Sequence, residues 1–350
     1  MFEDFKHVLV ALATHTFPPE PTFTEADVPS LTGKVFIVTG GNAGIGLELV
    51  KILYLKGGTV YIASRSPTRI AAAIEEIKKI PTDTPGHLKS LVLDLNDFST
   101  IGPCVADFLA QESRLDVLWN NAGISYPRDE ETGAADRNAV IVRVNCLGAF
   151  LLTKMLLPVL TETARAGKAG GGSGSGSGSG SVRVVFVSSG AFELNGPPGG
   201  LSLAELRPGE YSPDPSRNYS ASKAGALFLA NELDRRVRGD GVLSLVVSPG
   251  ALKTRDFREM SWAARNALSL ILHEPRMGAY SELWAGLSPD VGLGDGGRLA
   301  IEFGRWHPHP PEKLMRGVRS REEGGTGLAA QFWEWCEEQT KEYMHGAPGV

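Results

Sequence analysis

Cysteine is scarce in this chain, and the three that occur do not pair. Cys104, Cys146 and Cys336 lie far apart, odd in number and without a C-x-x-C spacing. That argues against a disulfide framework or a thiolate metal site, and leaves buried apolar thiols in a reducing compartment, the cytoplasm, as the expectation. An excess of one charge is also lacking. Lys and Arg total 35 against 40 Asp and Glu, a net charge of −5, and no basic run stands out. Neither nucleic acid nor an anionic membrane is therefore expected as a partner. The apolar run near the start, Val8-Leu9-Val10-Ala11-Leu12, falls well short of the ~20 residues that cross a bilayer, so no membrane span is expected and no signal peptide is evident. Histidine is sparse as well. The one tight pair, His307 and His309, sits among prolines and reads as a loop, so no metal is expected.

What is present suits one large α/β unit. The chain has 350 residues, 42% of them hydrophobic, enough for a sizeable core. Strand-like and helix-like segments alternate from Lys34 to about Gly250, which predicts a Rossmann-type doubly wound parallel sheet of about seven strands with helices on both faces. Six strands are expected at Val35–Val38, Thr59–Ala63, Leu91–Asp94, Leu115–Trp119, Val182–Val187 and Val242–Val247, and a seventh at Leu299–Phe303. This places an N-terminal arm at 1–30, a catalytic domain at 31–305 and a C-terminal extension at 306–350. In the extension, Leu328, Phe332, Trp335, Cys336 and Tyr343 follow helical spacing and predict an aromatic stripe packed on the domain. The Gly/Ser tract at 169–181 reads as a flexible surface loop. The Pro- and Gly-rich stretch Phe192–Asn218 reads as a long connection beside the site.

The most telling motif is Thr39-Gly40-Gly41-Asn42-Ala43-Gly44-Ile45-Gly46, set between the first strand and an apolar-periodic segment, Leu47–Leu55. Strand, glycine turn and helix start in that order make a pyrophosphate cradle, since glycines admit close backbone approach and the helix end offers unpaired N–H groups. A second motif is Tyr219-Ser220-Ala221-Ser222-Lys223. Four residues apart on a helix, phenol and ammonium share one face. The cation favours the phenolate of a group whose free pKa is near ~10, and so suits it to exchange protons as an acid/base. Beyond the second strand, Ser64-Arg65-Ser66 carries no carboxylate that would accept from a ribose 2′-hydroxyl. Arg65 offers a planar cation for a 2′-phosphate instead, which predicts NADP(H).

The spacing of Gly40, Gly44 and Gly46 resembles the short-chain dehydrogenase/reductase family, and the rest of that family's set follows in order across about Leu31–Phe303. The resemblance implies that Asn145 holds a proton-relay water, Ser189 orients the substrate oxygen, Tyr219 is the acid/base and Lys223 also holds the nicotinamide ribose. It implies cofactor contacts from Asn42, Ile45, Ser64, Asp94, Leu95, Asn121, Ala122, Gly123, Pro249, Gly250 and Thr254. A substrate-covering segment is expected at 251–285. Its Phe257, Met260, Trp262, Leu268, Leu270 and Leu272 suggest a bulky apolar or aromatic small molecule. Ser189 and Tyr219 stand 30 residues apart, a wider gap than in many members. The nearest likeness is to retinol-dehydrogenase-like and fungal secondary-metabolism reductases. A homodimer through the helices carrying Asn145 and Tyr219 is a further implication. The motifs leave open a catalytically silent NADP(H)-sensing protein, a double-bond reductase and a dehydratase on the same scaffold.

Overall fold

The β-branched runs fold into the central strands, because a strand covered on both faces favours Val and Ile at every position. In the computed structural model, which describes residues 14–15, 18–125, 137–169, 181–253 and 272–344, β1 (Val35–Thr39), β4 (Val117–Asn120), β5 (Val182–Val187) and β6 (Val242–Val247) are buried throughout. β2 (Thr59–Ser64) lies beside them, and β3 (His87–Val92), largely exposed, forms one edge. The spatial order is β3-β2-β1-β4-β5-β6-β7-β8, parallel up to β7 (Leu299–Ile301). Among the described residues there are eight strands, one more than the seven expected. The extra one, β8 (Arg305–Trp306), is an antiparallel edge of two residues, too short to show any alternation in sequence.

Helices cover both faces. α1 (Gly44–Leu55), α2 (Pro67–Lys78) and α8 (Pro275–Leu287) close one core, where Leu49, Leu53, Ile70 and Leu283 are fully buried. The other core holds α3 (Ile101–Leu109), α5 (Ala149–Ala169) and α7 (Pro215–Val237). α4 (Arg137–Val142) runs into α5 through a widened π-helical turn, Arg143–Gly148. The continuous helix Arg137–Gly167 is long and apolar enough to cross a bilayer, but 78% of its most apolar window is buried inside the protein. The Phe192–Asn218 stretch is not wholly irregular. It overlaps a short helix, α6 (Ala191–Asn195), and the start of α7, which is capped by Asp214 a turn before Tyr219.

At the C-terminus α9 (Glu312–Val318) leads to α10 (Leu328–Met344), which packs along α7 and α5. Its buried stripe is Ala329, Phe332, Trp333, Cys336 and Thr340, so Trp333 rather than Trp335 is the anchor, and Tyr343 stays exposed. The Gly/Ser tract from Gly170 to Gly180 lies outside the described residues, as do Thr254, Phe257, Met260, Trp262, Leu268 and Leu270. The N-terminal apolar run Val8–Leu12 does too.

Candidate active site

From β1 the chain turns one way to β2 and later the other way to β4, and the strand ends at this switch point open a crevice. The crevice is a cleft of about 500 Å³ that begins at Gly40, Asn42, Gly44 and Ile45. Gly40 (φ 68°) and Gly44 (φ 56°) are left-handed, a backbone that favours glycine. At Gly46 a Cβ would stand 2.5 Å from Asn121 Nδ2 and 2.8 Å from the Gly40 carbonyl oxygen, so only glycine lets helix and strand close. α1 follows Ala43, which gives it no side-chain cap, and carries no acid in its first turn. Its free N–H groups and dipole therefore favour an anion.

The cleft then passes Ser64, Arg65 and Arg69, Asp94 and Leu95, and Asn121, Ala122 and Gly123, ending at Lys253 and Pro275. Asn121 donates to the Thr39 carbonyl at 2.7 Å, and the Ala122 N–H donates to Thr39 Oγ1 at 2.9 Å, so β4's end is fastened to β1's. Asp94 accepts the Asn96 N–H at 2.9 Å, and Ser66 accepts the Arg69 N–H as the cap of α2. Arg69 and Lys253 line the cleft although the motifs did not single them out. The available signals were a second arginine four residues after Arg65 and a lysine three residues after Gly250.

Gly123 joins this cleft to the second group of residues. A Cβ there would lie 3.0 Å from Lys223 Nζ and 3.2 Å from Asn145 Oδ1. Asn145 sits on the π-helical turn, an insertion often found at functional positions. Its amide pairs with one backbone unit in both directions: the Ile124 N–H donates to Oδ1 and Nδ2 donates to the Ile124 oxygen, each at 2.9 Å. Nδ2 also donates to Ser222 Oγ at 2.9 Å, and that hydroxyl donates to the Tyr219 carbonyl at 2.7 Å. Lys223 is buried, donates to the Val187 carbonyl at 3.0 Å, and lies 5.6 Å from the centre of the Tyr219 ring. Burial pushes its ammonium down to about 8, against the opposing pull of Cys146 and Glu282.

Of the two serines after β5, Ser188 is buried and its hydroxyl donates to the Lys223 carbonyl at 2.7 Å. Ser189 is part-buried and accepts the Ala191 N–H at 3.3 Å. Pro249 and Gly250 follow β6, with Gly250 left-handed at φ 96°, and Thr254 lies outside the described residues. One group was missed altogether. Glu282 on α8 is fully buried, neither carboxylate oxygen has a hydrogen-bond partner among the described residues, and burial pushes its carboxyl up to about 8 against the pull of Lys223.

A cradle for an anion, a cleft beyond it, and an ammonium and amide behind Gly123 on its wall, with the phenol ring beside the ammonium, together suit proton exchange beside a bound dinucleotide. A family model described as short chain dehydrogenase matches residues 34–194. The chain is similar to a short-chain dehydrogenase/reductase, iacJ, from Pestalotiopsis fici, with 39% identity over 96% of this chain and 99% of the relative. It is also similar to one from Phomopsis amygdali, with 41% identity over 98% and 100%. Among solved structures it resembles an uncharacterised protein from Mycobacterium paratuberculosis (TM-score 0.61, 27% identity, 91% of this chain and 97% of that one). The active-site complex of Pseudomonas aeruginosa RhlG with NADP shares the fold (TM-score 0.59, 21% identity, 78% and 95%).

Proposed function

Because the chain belongs to the short-chain dehydrogenase/reductase family of oxidoreductases, we propose that it interconverts a ketone or aldehyde and an alcohol with NADP(H). We further propose a bulky, largely apolar substrate, reduction as the working direction and a place in secondary metabolism, a reading in keeping with the similarity to short-chain dehydrogenase/reductases of fungi. The observation that carries the reading is the Tyr219–Lys223–Asn145 group joined to the glycine cradle through Gly123.

The residues fit the cofactor. Gly40, Asn42, Gly44, Ile45 and Gly46 would hold the pyrophosphate at the uncapped start of α1. Asp94 and Leu95 would face adenine, and Asn121, Ala122 and Gly123 the adjoining ribose and the sheet. Half-buried Ser64 and exposed Arg65, at the cleft wall with Arg69, would bind a 2′-phosphate. Lys223 would hold the nicotinamide ribose, and Pro249, Gly250 and Thr254 the amide. When bound, the cofactor supplies the hydride.

The protein's own groups then handle the proton. Tyr219 donates to the carbonyl oxygen from its hydroxyl, beside the charge that Lys223 holds against the ring. Ser189 orients that oxygen, since Ser188 is committed to the Lys223 backbone. Asn145, fixed on both sides by Ile124, holds the water from which Lys223 restores the proton.

NADPH oxidation by the purified protein against ketones and aldehydes from small to bulky aromatic, with NADH in parallel, tests the reading. Turnover is expected with NADPH, best on the bulky members, and Tyr219→Phe lowers kcat by about 10²-fold or more. Tight NADPH binding without turnover of any carbonyl would favour a sensor instead.

A further inference from the structure

A cluster of titratable side chains outside the cleft joins three distant parts of the chain. His15 Nδ1 lies 2.6 Å from Glu302 Oε1, and its Nε2 lies 3.1 Å from Glu193 Oε1. The same Glu193 oxygen meets His307 Nε2 at 3.1 Å. Among the described residues the charged and titratable groups facing His15 are Glu193, Glu302 and His307, with Arg305 beyond them donating to the Thr14 carbonyl at 2.5 Å. Glu193, Glu302 and His307 are almost fully buried, and the His15 side chain is 18% exposed.

Two histidines and a carboxylate could suit a divalent metal, but the protons are in the way. His307 Nδ1 accepts the His309 N–H at 3.1 Å, so the ring's own proton sits on Nε2 and is donated to Glu193. Both nitrogens of His15 face carboxylate oxygens, so both donate and the ring is an imidazolium. Burial works against that charge, yet the hydrogen bonds to Glu193 and Glu302 outweigh it and raise His15 to about 9. Burial likewise opposes the Glu193 charge, and its bonds to His15 and His307 bring it down to about 2.

The cluster and its helix touch the site at three places. The His15 ring stands 3.7 Å from where a Cβ on Gly190 would lie, and Gly190 directly follows Ser189. Glu193 is on α6, whose Ala191 carbonyl accepts from Ser220 Oγ at 3.0 Å, next to Tyr219. Glu302 packs against Gly250, where a Cβ would come within 2.6 Å of Glu302 Cγ. The turn after Glu302 is itself held: Phe303 has φ 64°, rare for a bulky residue, and its N–H donates to Ser281 Oγ at 2.9 Å.

We propose that His15 is a positioning residue for the reaction: its imidazolium, gripped by Glu193 and Glu302, ties the turn carrying Ser189 to the loop beyond β7 and sets the substrate side of the site. The role rests on the carbonyl-reductase reading above. His15 itself meets Gly190, beside Ser189, while Glu302 reaches Gly250, assigned above to the nicotinamide amide, so loss of the His15 ring falls mainly on substrate placement and less on NADPH affinity.

Steady-state kinetics on the best carbonyl, fluorescence titration with NADPH and thermal unfolding test it on the wild type, His15→Ala, Glu302→Gln, their double variant and His15→Arg. His15→Ala is expected to lower kcat/KM by about tenfold or more through misplacement of Ser189, with the NADPH dissociation constant within about twofold of wild type. The double variant should lose no more than the worse single one, as one unit broken twice. His15→Arg, a cation with several donors, should recover most of the loss. The wild-type Tm relative to that of His15→Ala should fall as pH rises from 6.5 through about 9, the range over which the unfolded chain has lost the His15 proton that the folded protein still holds. Unchanged kcat/KM in His15→Ala, an equal loss of NADPH affinity, or a stoichiometric transition metal in the purified protein overturns the proposal. A wild type that turns over no carbonyl overturns the reductase reading, and with it this role. Turnover that His15→Ala leaves intact overturns this role alone.

Discussion

Arg65 leaves β2 just before α2 begins, and its exposed guanidinium stands with Arg69 at one wall of the cleft. No acid there competes for a ribose hydroxyl, so the expected effect of Arg65→Ala is on NADPH alone. Loss of charged hydrogen bonds worth about 1.5–3 kcal/mol raises its KM roughly ten- to hundredfold and leaves the weak use of NADH unchanged. Kinetics with both cofactors check this, and an equal effect on the two would refute the assignment. Glu282 makes the opposite kind of prediction. Unfolded, its carboxyl ionises near 4.5, and folded near 8, so folding takes up a proton between those values and wild-type stability falls as pH rises through them. Glu282→Gln does not titrate. Its Tm relative to wild type should therefore climb from about pH 5 to about pH 8, by the equivalent of about 1–3 kcal/mol. Arg65 could be read from its place after a strand. Glu282 could not, because nothing in Tyr280-Ser281-Glu282-Leu283 says that the carboxylate faces inward without a partner.

Helices and strands were largely legible, and their irregularities were not. The apolar run after Arg137 reads as a helix, yet its π-helical turn accompanies Asn145 reaching across to both backbone groups of Ile124, 21 residues earlier. α8 ends in a similar long-range arrangement. Arg183, buried on β5, donates to the carbonyls of Ala285, Ser288 and Val291 at 2.8–2.9 Å and satisfies the groups that a helix end leaves open. Burial pushes its guanidinium down to about 10, opposed by Asp295. Arg183→Met should cost about 3 kcal/mol, measured by denaturant unfolding, because three buried acceptors lose their donor. A loss below about 0.5 kcal/mol would show that water replaces it.

At the scale of the whole molecule the decisive element is α10. Trp333 is buried, meets Phe150 edge-on at 4.8 Å between ring centres, and has Arg236 over one face. Phe332 reaches Gly225 on α7, where a Cβ would come within 3.1 Å of its ring. The helices bearing Asn145 and Tyr219, through which the family resemblance implies pairing, are thus covered by the chain itself. A single species of 37.4 kDa is expected in sedimentation velocity at micromolar concentration. Twice that mass would mean that pairing uses another surface. Trp333→Ala, which removes the anchor, should cost about 3–5 kcal/mol by denaturant unfolding.

By itself the sequence determined the doubly wound sheet, the glycine cradle and the Tyr219–Lys223 pairing. Each is written in local spacing, where a strand's or helix's period decides which side chains share a face. Only the tertiary structure decided that the Ser188 hydroxyl donates to the Lys223 carbonyl while that of Ser189 accepts from Ala191, that Trp333 and not Trp335 is the anchor, and that β8 forms the sheet's last edge. It also brought His15 to Glu302 across 287 residues. These depend on which distant groups meet once the core has closed, and a contact of that kind leaves no periodic trace along the chain.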